Sequence, residues 1–506
     1  VESSSVKSEV GPIIRDTAGA AGEKYDLIII GGGIYGVMLS FEASKRGLRS
    51  LLLERDDFGS HTSFNSLRII HGGLRYLQTF DIPRFVESVQ ERSWFLRTFP
   101  DLVKPLPCLM PLYGEGLKRP SVFRAALWAN HLLSIKRNNG LALGQELPAG
   151  GIIDPDQTRV IFPMVDAKGL KGGAVWYDAI MPDSQLLLMR VLRWSCELGA
   201  AALNYVEAKK LLKTRDGAVA GVVALDQEGG RDHEYKADVV VNAAGPWCRE
   251  LAARFDRDEP ALFRGSLVWN LLLDRKALSS HALAVAPRRH DGRIYFLAPW
   301  KGKVLAGTGH APWRTNMPVP KVSTEQIDGF LEDLNSSVPG FDAKRHEIVH
   351  VFSGLLPVKK AGTVELSTRP VICQHQKNGG PRGLYSVSGV KFTTARHVAD
   401  KVLSLTHPNA HVDGTAIFFV GKSSIDERKR DMGVKFPGSG MALQEIIQSE
   451  SVLHLEDLVF RRTDLWENVK ATGSLADLLE LFDWDAIRSR EEEARLKSIT
   501  QYPSYS

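Results

Sequence analysis

Residues 25–54, YDLIIIGGGIYGVMLSFEASKRGLRSLLLE, constrain this chain more than any other stretch. A continuous apolar run up to Ile30 reads as a strand buried on both faces of a parallel sheet. Gly31-x-Gly33-x-x-Gly36 follows at once, residues 37–45 read as an amphipathic helix ending near Gly47, and residues 50–53 give a second apolar strand that stops at Glu54. This is a βαβ unit. Gly31 suits the tight turn, Gly33 the approach of backbone to a pyrophosphate, and Gly36 close packing of helix on strand. Phosphates belong at the helix N-terminus, where unpaired N–H groups and the helix dipole favour anions. Glu54, about 20 residues further on, is placed for a ribose diol and disfavours a 2′-phosphate, so the adenosine half is that of FAD or NAD.

The 506 residues suggest two or three domains. A net charge of +5 is too small for this size to argue nucleic-acid binding. Cys108, Cys196, Cys248 and Cys373 have no metal-ligand spacing and read as buried thiols of a reducing compartment; no metal is expected. No apolar run is long enough to span a bilayer. Residues 1–24, polar and without an apolar segment, are expected to be a flexible tail rather than a secretory signal.

Beyond Glu54, residues 55–75 are small and polar without periodicity. In a flavin fold they run along the cofactor: Ser63, Asn65 and Ser66 are candidate hydrogen-bond donors, and His71-Gly72-Gly73 brings backbone near the ring. Residues 82–99 have helical spacing, and several prolines follow. Asp183 is expected to cap the apolar helix that begins near Gln185. ADVVVNAAGPW ends in Ala243, Ala244 and Gly245, whose small side chains leave room for a dinucleotide at the sheet's C-terminal edge. GLYSVSGVKFTTAR reads as a strand, a turn at Gly389 and a helix start, with Lys391, Thr393 and Thr394 at its mouth. Residues 423–440 read as a linker. The expected fold class is α/β: a discontinuous Rossmann-like nucleotide domain (25–95, 160–250 and 376–412), an inserted mixed-sheet substrate domain (96–159 and 251–375) and a small helical domain (423–506).

Taken together, IIIGGGIYGV, LLLERDDFGSHTS, RIIHGGLRYLQ, VVNAAGPW, RIYFLAPW, FSGLLPVK, SGVKFTTAR and LEDLVFRRTDLW resemble the ordered motifs of the FAD-dependent glycerol-3-phosphate dehydrogenases, within the D-amino-acid-oxidase-like flavoproteins. The likeness runs from about residue 25 into the helical C-terminal region. It implies non-covalent FAD and oxidation of a secondary alcohol by hydride transfer to flavin N5. It further implies electrons passing to a membrane quinone, and a location in the cytoplasm or peripherally on the inner face of a membrane. Gly31, Gly33, Gly36 and Glu54 match the family's FAD fingerprint, Lys391 and Thr393 its GKxTT-like loop, and Arg369 a basic residue expected near substrate phosphate.

Two positions depart from the family pattern. Arg68 replaces the lysine of S-K-L-I-H-G-G, and Leu356 replaces the arginine of S-G-[VL]-R-P, removing a cationic fork suited to phosphate. His71, Arg68 and Lys391 are the candidates around the reacting hydroxyl; Arg68, Arg369 and Leu356 are the expected substrate contacts. Three readings stay open: oxidation of glycerol 3-phosphate or a related alcohol; the same chemistry on another polyol, sugar, cyclitol or amine; and a non-catalytic flavoprotein subunit.

Overall fold

The computed structural model describes residues 11–77, 80–114, 119–287, 293–313, 320–412, 440–468 and 475–500. The linker expected at 423–440 lies almost wholly outside them. Among the described residues three sheets carry the architecture. A six-stranded sheet has the order Val371–Gln374, Leu384–Ser388, Val240–Asn242, Leu27–Ile30, Ser50–Leu53, Ala201–Leu203, and all but the first of these strands pair in parallel. Leu27–Ile30 is buried along its whole length, as a central parallel strand must be. The expected βαβ unit is present.

The helix Ile34–Ser44 is not amphipathic, however. Ten of its residues are buried, because Ser184–Glu197 packs on one side and Ala395–Thr406 on another. Asp183 caps the first of these neighbours through the Leu186 N–H at 2.8 Å, as expected.

The second sheet has nine strands. It runs Ile348–Pro357, Gly265–Leu273, Lys303–Pro312, Tyr295–Trp300, Ala282–Val285, Lys104–Leu112, Gly172–Ile180, Ile69–Ile70, with Gly151–Ile153 also on Gly172–Ile180. Three strands fall on the other side of the expected domain boundaries, the first being Ile69–Ile70, which joins the nine-stranded sheet by pairing with Gly172–Ile180. Gly172–Ile180 pairs with Lys104–Leu112 in this sheet, and Val371–Gln374 pairs with Leu384–Ser388 in the nucleotide sheet. Apolar pattern reveals a strand but not its partner. The third sheet, of four strands, includes the hairpin around Asp216-Gly217.

Residues 11–24, read as tail, are docked. Ile13 is 2% exposed and its N–H bonds Ser449 O at 2.8 Å, Arg15 pairs with Asp226 at 2.5 Å, and Asp16 caps the short helix Thr17–Ala21. The C-terminal part contains the helices Gly440–Ser449, Leu475–Leu479 and Ala486–Thr500 and a π-helical turn, Asp457–Arg462. Cys108 and Cys248 are buried, and Cys196 and Cys373 are half-buried. No described helix is long and apolar enough to cross a membrane.

Candidate active site

The parallel strands end on a long cleft, as the geometry of open α/β sheets requires. Its floor is the first glycine turn. Gly31 has φ +110°, and a Cβ on Gly36 would lie 1.9 Å from Gly31 O, so only glycine lets the helix seat on the strand end. Gly33, Ala244, Gly245 and Gly389 line the cleft beside it, all without bulk. Ser63 serves the helix as well as the cleft: its Oγ accepts from Ile34 N–H at 2.9 Å, satisfying one donor of the first turn.

At one end Glu54 is 8% exposed. Its Oε2 accepts from Gly32 N–H at 2.6 Å and its Oε1 from Asp56 N–H at 2.9 Å. Burial, and then the Asp56 charge, push this carboxyl up. Three residues not singled out from sequence form a wall here. His61 bonds Asp56 at 2.7 Å and lies 4.6 Å from the Trp247 ring, while the Arg55 guanidinium lies 4.2 Å over the same ring. VVNAAGPW contained Trp247, but nothing in the sequence pointed to Arg55 and His61 meeting it.

The other end is built around Lys391. The Tyr35 hydroxyl accepts from Val390 N–H at 2.9 Å and Lys391 N–H at 3.0 Å and donates to Lys391 O at 2.7 Å, so one phenol locks this loop to the first helix. Tyr35 lies inside GGGIYG, yet its partner is remote in sequence. The Lys391 ammonium sits 4.0 Å from the Tyr76 ring centre. Burial, then the charge of Arg75, bring its pKa down to about 8. Arg75 and Arg293 also act on nearby His310, which burial and those two cations lower to about 4. Thr393 is buried at the cleft wall.

His71 reaches the same region, with its side chain 41% exposed and Nδ1 3.9 Å from Asp178 Oδ2. Asp178 is held from three sides, by Gly72 N–H at 2.5 Å, Trp176 Nε1–H at 3.0 Å and Arg92 at 3.3 Å. Burial pushes its carboxyl up, but His71, Arg92 and the Gly72 N–H outweigh that and hold it at about 2. Gly72 thus contributes through the carboxylate. Gly73, at φ +81°, turns the chain into the short helix Leu74–Leu77 that carries Arg75 and Tyr76. Neither Gly72 nor Gly73 lines the cleft, and Asp178 is a site residue that sequence reading did not identify.

Other expected contacts are occupied differently. Arg68 has φ +63° and is 2% exposed, and its guanidinium donates to Ser184 Oγ at 2.7 Å and Phe64 O at 3.4 Å. It is boxed by Phe352, Phe64 and Trp300 at 5.1–5.4 Å, so its cationic head is committed to that box. Asn65 donates to His61 O and Ser66 Oγ accepts from Arg68 N–H, so both brace the loop, while Asn65, Ser66 and Arg68 all line the cleft as expected. Arg369 is 75% exposed, 3.8 Å from Asp81, and does not line the cleft. Leu356 does line it, from the strand Ile348–Pro357 where it pairs with Ser266. Lys359, its cationic neighbour in sequence, is exposed and paired with Glu365.

A parallel sheet, a glycine turn at a helix N-terminus and a terminal acid define a dinucleotide-binding protein. Residues 26–403 match the family described as FAD dependent oxidoreductase, and the chain belongs to that family. It is 32% identical over 406 residues to a glycerol-3-phosphate dehydrogenase of Synechocystis sp., covering 78% of this chain and 70% of that protein. It is 31% identical to the mitochondrial glycerol-3-phosphate dehydrogenase of Schizosaccharomyces pombe, of which it spans 61%, and it spans about half of the animal relatives. Among solved structures, a Bacillus halodurans glycerol-3-phosphate dehydrogenase complexed with FAD superposes with a TM-score of 0.71 at 20% identity, covering 96% of each chain. An L-proline dehydrogenase from P. horikoshii gives 0.56 at 16% identity, over 77% of this chain and 95% of that one. The fold is therefore common to oxidoreductases of different substrates. The cleft has the lining that FAD needs: Glu54 at one end would meet the adenosine ribose, the glycine backbone would take the pyrophosphate, and Lys391 and His71 line the far end.

Proposed function

We propose that this FAD-dependent enzyme oxidises a secondary alcohol that carries an anionic group, glycerol 3-phosphate or a close relative. The observation that carries the reading is that Lys391, with the Arg75 charge acting on it, and His71, backed by Asp178, line one cleft. The relatives named for glycerol 3-phosphate support it. Bound FAD supplies the hydride acceptor, flavin N5. His71 takes the hydroxyl proton at a ring nitrogen, and buried Asp178 stabilises the resulting imidazolium. Lys391 binds the anionic group or the developing negative charge, strengthened by its partial burial. Arg68 acts at a distance, bracing the loop that ends in His71. Anaerobic mixing with glycerol 3-phosphate is expected to bleach the flavin. No bleaching by that compound or any other phosphorylated alcohol would end this reading.

Leu356 favours a second reading, in which the substrate is another polyol, sugar or cyclitol alcohol or an amine. It gives an apolar wall where the resembling family has an arginine. The same experiment with unphosphorylated alcohols separates the two.

Transfer of electrons to membrane quinone, with peripheral attachment, completes the proposal. The helix Pro120–Leu133 buries Phe123 and Leu127 but exposes Trp128, Leu132 and Leu133, followed by exposed Ile135, beside the exposed cations Arg119, Arg124 and Lys136. Aromatic, aliphatic and basic groups in that arrangement suit the surface of an anionic bilayer. Trp128→Glu with Leu132→Glu is expected to abolish sedimentation with anionic vesicles while leaving the flavin content unchanged. Equal sedimentation of variant and parent would remove this surface from the proposal.

A further inference from the structure

A second cluster of chemically reactive side chains lies away from the cleft, at the edge of the nucleotide sheet. Val371–Gln374 is the edge strand, antiparallel to Leu384–Ser388, and carries Cys373; His375 opens the 3-10 turn His375–Asn378 directly after it, and the close approach of their ligand atoms puts the two on one face of the sheet edge. That face meets the turn that follows the helix Cys248–Phe255, where Asp256 and Glu259 are found. One ligand atom each from Glu259, Cys373 and His375 lie within 4.8 Å of one another. We propose that these three side chains bind a divalent transition-metal ion of the zinc class, at a site separate from the redox cleft.

The donor set selects the ion. A thiolate with an imidazole excludes calcium and magnesium, which take oxygen ligands, and one sulfur, one nitrogen and one oxygen are the three donor types of zinc. The fourth position is filled by water or by Asp256, whose Oδ2 is 3.0 Å from His375 Nδ1. His375 is fully buried, and its Nε2 lies 2.9 Å from Ser386 Oγ. Either ring nitrogen can ligate while the other keeps a hydrogen bond, the outer support that metal-bound imidazoles have. Glu259 is oriented in the same way, since Asn378 Nδ2 donates to its Oε1 at 2.9 Å and leaves Oε2 for the ion. The connecting loop closes tightly on this group. Gly380 N–H donates to His375 O at 2.9 Å, and a Cβ on Gly380 would stand 2.2 Å from Asp256 Oδ2.

On binding, the Cys373 S–H bond is replaced by a sulfur–metal bond and the proton leaves to solvent; no electron moves. The ion ties the edge strand to the turn after the helix. The tie extends to the cleft, because Ser386 Oγ also accepts from Asn242 Nδ2 at 3.1 Å and Asn242 Oδ1 accepts from the N–H of cleft-lining Ala244 at 3.2 Å. The site thus supports the strand ends under the cofactor and does not depend on which alcohol is oxidised. The cysteine spacing gave no hint of it, because its ligands come from two elements that only the fold brings together.

The test uses the FAD-loaded full chain, stripped with a chelator and titrated with Co2+ as the spectroscopic probe. The expected result is saturation at one ion per chain, with cobalt d–d bands at wavelengths beyond the flavin absorption and loss of those bands on adding Zn2+. Cys373→Ser and Glu259→Gln, at half-buried positions, are expected to weaken Co2+ binding by roughly 10- to 100-fold. Flavin content and circular dichroism verify that both variants are folded. Absence of saturable binding to the parent chain overturns the proposal, and so does parental affinity in both folded variants.

Discussion

At the scale of single residues, Lys391 has the most specific consequences. Its backbone is held by Tyr35 independently of its side chain, so Lys391→Met is expected to keep FAD and the fold. The variant should lose about 10²-fold or more in kcat/KM, the scale of removing one preorganised charge from an active site. The pH dependence has a definite sign. Burial and Arg75 bring Lys391 to about 8, so the ammonium that binds an anionic substrate is present below that pH and lost above it. KM for the phosphorylated alcohol should therefore rise above about pH 8, and Lys391→Arg should move that rise to higher pH, because a guanidinium stays protonated. Steady-state kinetics between pH 6 and 10 would check both, with the range set roughly by ordinary imidazole and lysine titration. Leu356→Arg adds a cation to the cleft wall. It is expected to lower KM for phosphorylated over unphosphorylated alcohols by about tenfold, the value of one charge-assisted hydrogen bond.

At the scale of elements, the π-helical turn Asp457–Arg462 anchors the C-terminal helices to the loop just beyond Glu54. Arg461 reaches Asp57 at 2.7 Å and Arg462 reaches it at 2.6 and 2.8 Å, while Arg461 also pairs with Asp457, which accepts from the Tyr205 hydroxyl at 2.6 Å. All of these side chains are buried or nearly so, and removing one charge leaves the others uncompensated. Asp57→Asn is expected to cost about 3–5 kcal/mol in denaturant unfolding and to expose the C-terminal helices to protease. Burial pushes Asp57 up, but Arg462 and Arg461 prevail and hold it at about 2. Because its folded value is depressed, its contribution is complete at neutral pH and is lost as pH falls below the ordinary carboxylate range towards 2. His454 has the opposite sign. Burial lowers it, but Glu228 and Glu492 prevail and raise it to about 9. Its contribution to docking Ala486–Thr500 is present at lower pH and lost as pH rises through about 9. Limited proteolysis of that helix should accelerate there but not at pH 7.

At the scale of the whole molecule, the cleft lies where the strands of the nucleotide sheet end and the strand Ile348–Pro357 of the nine-stranded sheet comes alongside. Both sheets supply lining residues, so FAD is expected to act as a bridge. Removing it should lower the midpoint of thermal unfolding, and FAD at 100 times its dissociation constant should restore about 2.7 kcal/mol of stability. An unchanged midpoint would mean that the sheets hold together without it. Two of the strands that changed sides, Gly172–Ile180 and Val371–Gln374, matter at this scale. The first carries Asp178 beneath His71, and the second carries Cys373 at the sheet edge.

The sequence by itself determined what is local. The turn at Gly31, the approach at Gly36, the apolar strand before them and Glu54 after them are set by sterics and chemistry within about thirty residues, and they specified a dinucleotide site before any fold was known. The roles of the more distant motifs depended on where each side chain pointed. Arg68 was a cation beside a histidine in sequence, but tertiary packing put its head in an aromatic box; Arg369 was left at the surface; and Asp178, an ordinary strand residue, came to face His71. Burial then gave Lys391 a pKa that no sequence motif encodes, because desolvation depends on the atoms that the whole fold places around the charge.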